Sequence, residues 1–106
     1  MFRVENNNIY LTRGDTAEFK PIIENYEVQE GDKVVFAAKR NHLATAADIR
    51  IEVDAGASIE FAHSTTSSLP LGTYLYEIKL TTVDGDISTF AIGRFILEGD
   101  IDNENN

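Results

Sequence analysis

The stretch GTYLYEIKLTT, residues 72–82, limits what this chain can fold into. Tyr74, Tyr76, Ile78 and Leu80 share one parity, and Glu77, Lys79 and Thr81 share the other. Successive side chains of a strand point to opposite faces, so this pattern describes a strand with one face in a core. A helix built from the same residues would scatter its apolar side chains around the axis. The period of two recurs along the chain. No amphipathic helix of ordinary length appears, and only NHLATAAD, residues 41–48, has the composition for one helical turn.

The other segments follow the same grammar. NIYLT reads as a short strand. TAEFKPIIE reads as another, placed at an edge or broken near Pro21, because proline has no N–H for a ladder. DKVVFAAK is apolar on both parities, the pattern of a strand covered on both sides. DIRIEV sets Ile49, Ile51 and Val53 on one face, and SIEFAH does the same with Ile59 and Phe61. The last strand, Ile87 to Leu97, alternates less cleanly, and Gly93 within it suggests a bulge where the parity switches. Turn clusters separate these runs at Gly14-Asp15, Gly31-Asp32, Asp54-Ala55-Gly56 and Asp84-Gly85. Asp84-Gly85 is the signature of a two-residue hairpin tip, because glycine accepts positive φ at little cost.

About seven short strands in roughly 100 residues predict an all-β fold: a single immunoglobulin-like antiparallel β-sandwich. The chain has no cysteine, so no disulfide staples it and no thiolate binds a metal. In LPLGTYLY, Tyr74 stands at the start of the long strand. That is the place of a tyrosine corner, in which the hydroxyl bonds back to upstream backbone. Plain packing of Tyr74 in the core accounts for the same spacing, and both readings stand at this stage.

Charge divides the chain. It has 106 residues, a size suited to one domain, and a net charge of −9. Glu98, Asp100, Asp102 and Glu104 lie beyond the last base, Arg94, while residues 1–97 carry 9 bases and 14 acids. The sequence therefore divides into a sandwich domain, 1–97, and a short acidic polar tail, 98–106. A chain this acidic is a poor nucleic-acid binder, which needs a basic face. No run approaches the ~20 apolar residues of a membrane span, and MFRVENNNIY lacks the apolar stretch of a signal peptide.

No constellation of catalytic residues emerges. His42 and His63 fit no paired-histidine metal pattern and read as loop and strand-end residues. STTSS, residues 64–68, has no G-x-S-x-G surroundings and reads as a solvated connection. DGDIST and GDIDNEN lack the bidentate acid that closes a calcium loop. The expectation is a protein without catalytic residues, metal or cofactor. Arg13-Gly14-Asp15, familiar from cell-adhesion ligands, falls between two predicted strands. It reads as a structural turn in which Gly14 supplies the φ and the Asp15 side chain bonds to backbone two residues on.

Taken together, NIYLTRGDTAEF, GDKVVFAAKR and LPLGTYLYEIKLTTVDGDISTF resemble small proteins and N-terminal domains from phages and prophages of Gram-positive bacteria, among them the N-terminal domains of baseplate upper proteins. The likeness covers about residues 2–97. It implies a structural role in a tail or baseplate, with other virion proteins as partners and a second copy of the chain as a further candidate partner. It also implies assembly in the host bacterial cytoplasm and a place in the virion. The alternative is a β-sandwich that binds carbohydrate or a host-surface partner. That reading requires exposed aromatic side chains grouped on one face.

Overall fold

A computed structural model of the chain describes residues 1–99. The acidic tail lies outside the described residues apart from Glu98 and Gly99, and Glu98 belongs to the last strand. Eight strands form: β1 Phe2–Glu5, β2 Asn8–Thr12, β3 Ala17–Phe19, β4 Lys33–Lys39, β5 Ile49–Asp54, β6 Ile59–Phe61, β7 Gly72–Thr81 and β8 Ile87–Glu98. A six-stranded sheet has the order β1-β2-β8-β7-β4-β5, and β3 and β6 make a two-stranded sheet. The protein is all-β, as the alternation predicts, but its two sheets are unequal. β3 stops at Phe19, just before Lys20-Pro21, because proline cannot extend the ladder.

Two features differ from an antiparallel sandwich of seven strands. The segment FRVE forms a strand, β1, that pairs with β2 through a tight turn at Asn6 and Asn7, whose φ values are +50° and +66°. Asparagine is among the few residues that enter the left-handed region readily, and two in succession make the turn whose twist suits a hairpin. Secondly, β2 runs parallel to β8, with Ile9 opposite Phe95 and Leu11 opposite Leu97. The Arg13-Gly14-Asp15 turn carries the chain out of the large sheet into the small one. One of the two neighbours of β2 is therefore supplied by the far end of the sequence.

On β7, Tyr74, Tyr76, Ile78 and Leu80 are all buried. On β4, Val34, Phe36 and Ala38 are buried, whereas Val35 and Ala37 are half-exposed. The expectation of a strand covered on both sides is thus corrected: no second layer covers the far face of the large sheet among the described residues. The core is dominated by rings. Phe36 packs at 5.4 Å from both Phe61 and Tyr76 and at 6.0 Å from Phe95, and Phe61 reaches across to Phe95 at 5.6 Å.

The bulge in β8 lies at Phe90, not at Gly93. Ile78 pairs with Ala91 and Lys79 with Thr89, so Phe90 is the extra residue. Gly93 has a different reason. It lies opposite Tyr76, and a Cβ there would sit 2.1 Å from the Asn7 carbonyl oxygen. That carbonyl folds over Gly93 and accepts the Tyr76 hydroxyl at 2.7 Å. The glycine allows the β1–β2 turn to approach the backbone of β8.

The β7–β8 connection has a three-residue loop, Val83-Asp84-Gly85, rather than a two-residue tip. Thr82 donates its N–H to Asp86 at 2.8 Å, and the Gly85 N–H closes a turn on Thr82 at 2.9 Å. Gly85 has φ +94°, which is the bulge-forming position of a three-residue hairpin.

Asp32 is buried and fully bonded. Its carboxylate accepts the Tyr26 hydroxyl at 2.6 Å, the Gln29 N–H at 2.8 Å and the Val83 N–H at 2.8 Å. It thereby fastens the 26–32 loop to the β7–β8 hairpin. The bond from Tyr26, and then that from Gln29, hold the Asp32 carboxyl below its ordinary value of 3.8, while the same bond pushes Tyr26 up to about 12. A depressed carboxylate contributes stability that is present above its unfolded pKa and is lost as pH falls through the folded value. We expect the melting temperature to fall as pH drops below 3.8, and Asp32→Asn to flatten that slope while lowering stability at pH 7. An identical acid slope in wild type and variant would count against this assignment.

Candidate interaction surface

Asp15 closes a turn on Thr12 by an N–H bond of 3.0 Å, with Gly14 at φ +84°. This turn is bolted to a helical turn, α1, His63–Thr66. The Gly14 N–H donates to Thr66 Oγ1 at 2.8 Å, and the Gly14 carbonyl accepts from His63 Nδ1 at 2.7 Å. Arg13 Nη1 lies 3.4 Å from the Leu69 carbonyl. The Asp15 carboxylate pairs with the Met1 amino group and not with backbone two residues on.

STTSS is therefore not a mere solvated connection. Thr66 is fully buried, and the single helical turn forms here instead of in NHLATAAD. Replacing Thr66 by Val keeps its shape but strands the Gly14 N–H. We expect a loss of ~1–3 kcal/mol in urea unfolding. A loss below ~0.5 kcal/mol would mean that this bond does not hold the turn.

Downstream of α1, the Tyr74 hydroxyl donates to the Pro70 carbonyl at 2.7 Å. This is a bond back to upstream backbone of the kind a tyrosine corner requires, made by a residue that is also buried in the core. The sequence carried no sign that His63 and Thr66 would meet Gly14, since 49 and 52 residues separate the partners. None of these turn residues converges with Asp84 or Gly85, which lie on the β7–β8 loop.

The uncovered face of the large sheet is the broadest open surface of the fold. Cross-strand register assigns its residues. Ile92 lies beside Glu77, Leu75 beside Arg94 and Lys39, Ala37 between Glu77 and Arg50, and Val35 between Lys79 and Glu52. Ile87 and Ile92 are each 65% exposed and Leu75 is 47% exposed. Ala37, Leu75 and Ile92 line a depression of about 270 Å³, with Lys39 and His42 on its margin.

Around this apolar centre the charges pair sideways: Arg50–Glu52 at 3.1 Å, Lys79–Glu77 at 3.3 Å, Arg3–Glu5 at 3.3 Å, and Lys33 with Asp54. Arg3 also lies 4.0 Å over the Tyr10 ring. The face is nearly neutral although the chain is strongly acidic. Its parts are those of an interface patch, an apolar centre within a polar rim.

Of the ten Phe and Tyr residues, none is exposed. Among the described residues no group of three or more His, Cys, Asp or Glu is placed to hold a metal ion. No helix among them is long and apolar enough to cross a membrane. Comparison with known protein families, curated proteins and solved structures finds no match for this chain.

Proposed function

We propose that the chain is a structural module of a phage or prophage virion, part of the tail or baseplate, that works through protein–protein contacts and turns over no substrate. The observation that carries the proposal is the uncovered, near-neutral sheet face with Ile92 and Leu75 exposed around its apolar depression and Ile87 exposed at its hairpin end. Burying such a patch against another protein is favourable by roughly 25 cal/mol per Å² of apolar area, before the costs of association. The ordered sequence segments that resemble baseplate upper protein N-terminal domains point to the kind of assembly.

An immunoglobulin-like reading of the fold is part of the proposal. The run β8-β7-β4-β5 matches strands G-F-C-C′, and β3 with β6 matches B with E. Support also comes from α1 in the E–F connection and from the Tyr74 bond at the start of the F-like strand. The unequal sheets fit because β2 sides with the G-like strand.

The carbohydrate-binding alternative is weakened by the placement of the rings, all of which are buried or half-buried. Sugar stacking needs an exposed aromatic platform. The test is co-expression of the chain with the tail genes that neighbour it. Co-purification with a tail component, lost in Ile92→Glu while the melting temperature holds, is the expected result. Absence from purified particles together with no co-purifying tail protein overturns the assignment.

A further inference from the structure

β5 closes one end of the large sheet, and β4 is its only strand partner there. Its outer backbone groups have no strand beside them among the described residues. Edges of this kind are usually blunted by brevity, proline, a bulge or an inward-pointing charge. β3 and β6 are three residues long, and β1 is four. β5 is six residues long and contains neither proline nor glycine. Its core-side residues are Ile49, Ile51 and Val53, and the last two remain half-exposed at the sheet margin.

The order of residues in β5 is self-complementary. In an antiparallel pair of two β5 strands, both copies present their core faces on the same side only if paired residue numbers sum to an even value. Centring the pair on Arg50 sets arginine against arginine. Centring it on Glu52 sets glutamate against glutamate. Centring it on Ile51 sets Arg50 opposite Glu52 of the second copy, and Glu52 opposite its Arg50. On the other face, the same register sets Ile49 opposite Val53 and Ile51 opposite itself. This register joins two Arg50–Glu52 pairs on one face and apolar β-branched residues on the other, with Asp54 opposite Asp48, just outside the strand, at each end. The Arg50-centred register sets like charges on the two-fold axis itself, and so does the Glu52-centred one, although the latter also pairs Arg50 with Asp54.

We infer that the chain forms a two-fold homodimer by antiparallel pairing of β5 with β5 of a second copy, centred on Ile51, which fuses the two large sheets into one of twelve strands. The symmetry is isologous and closed, so the pairing stops at two and does not run on into a fibre. The free β1 edges then lie at the two far ends. The Arg50–Glu52 contact within one strand, 3.1 Å, shows that the two side chains already lie side by side on the exposed face. Pairing re-partners them across the two-fold axis. The inference concerns the chain alone and does not depend on the virion assignment.

The test is sedimentation equilibrium of the full chain from ~10 µM to ~1 mM, with charge variants at exposed positions that leave the core untouched. Wild type is expected to show a monomer–dimer equilibrium. Arg50→Glu sets two glutamates opposite each other at both ends of the pair and is expected to weaken dimerisation by about tenfold or more. The exchange variant Arg50→Glu with Glu52→Arg restores it to within about threefold. The double variant Arg50→Cys with Glu52→Cys becomes a covalent dimer under mild oxidation, and neither single cysteine variant does. A wild type that stays monomeric at ~1 mM, or an Arg50→Glu chain that dimerises as well as wild type, overturns the inference. Either result leaves the co-purification test of the virion reading unaffected.

Discussion

Gly93→Ala is expected to destabilise the fold by about 2–3 kcal/mol, although Gly93 shows no positive φ and stands inside a regular strand. The added Cβ would lie 2.1 Å from the Asn7 oxygen and 2.8 Å from Tyr76 Cε2. The first obstacle is backbone and cannot turn aside as a side chain would. To make room, the β1–β2 turn has to lift away from β8. Lifting it also removes the acceptor of the Tyr76 hydroxyl; Tyr76 is 5% exposed, and its hydroxyl has no second hydrogen-bond partner among the described residues. A double-mutant cycle isolates this mechanism. In a Tyr76→Phe background the hydroxyl is already gone, so Gly93→Ala should cost less than in wild type. Urea unfolding followed by circular dichroism reads both numbers. A single-variant loss below ~0.5 kcal/mol would show that the turn yields freely.

Phe61→Ala is expected to cost more, about 3–5 kcal/mol. Phe61 is 1% exposed and is the ring by which the small sheet grips the large one. Its centroid lies 6.1 Å from Phe19 within its own sheet, and 5.4 Å and 5.6 Å from Phe36 and Phe95 in the other. Truncation opens a cavity bounded by strands of both layers, which cannot collapse without shifting one sheet on the other. For a domain whose whole stability is typically ~5–15 kcal/mol, that loss is a large fraction. Phe61→Leu keeps most of the volume and should cost no more than about 1.5 kcal/mol. If Phe61→Ala cost under ~1 kcal/mol, the two sheets would not depend on this ring.

The strands that could be read from sequence were those whose burial repeats every second residue. β7 is the clearest case, and Ile59 and Phe61 of β6 are another. The apolar run of β4 was misleading in one respect. Val35 and Ala37 are tolerated on an open face, so an apolar residue there does not demand a covering layer. β1 escaped notice because Phe2 and Val4 give only two apolar positions and the asparagine turn has no glycine. Its signal was present in the run Asn6-Asn7-Asn8, two of whose residues take left-handed φ.

The position of the β8 bulge was not legible. A glycine in a strand signals either an extra residue or a close approach, and only the Asn7 carbonyl decides between them. The turn at Gly14 was visible, but its fastening to Thr66 and His63 was not. A hydrogen bond spanning some fifty residues leaves no local pattern. In the sequence Asp32 is likewise legible only as a turn residue beside Gly31. Its burial comes from three donors, Tyr26, Gln29 and Val83, the last of which arrives from 51 residues away. The open sheet face emerged only once the register was known, because Ile87, Ile92 and Leu75 look like core residues in the sequence.

The parallel pairing of β2 with β8 imposes a schedule on the nascent chain. Ile9 and Leu11 are covered by Phe95 and Leu97, which emerge from the ribosome more than eighty residues later. At roughly 5–20 residues per second, the β1–β2 hairpin waits on the order of ten seconds for the strand that completes it. During that interval a two-stranded hairpin is marginal on its own, and its apolar side faces water. The small sheet and the β4–β5 hairpin can form earlier, but the ring stack lacks Phe95 until the end. Completion of the large sheet is thus held back to the last strand, with a long loop to close before β1 and β2 join the core. Truncation before Phe95 should leave a chain that binds holding chaperones, whereas one ending after Glu98 should fold and leave them.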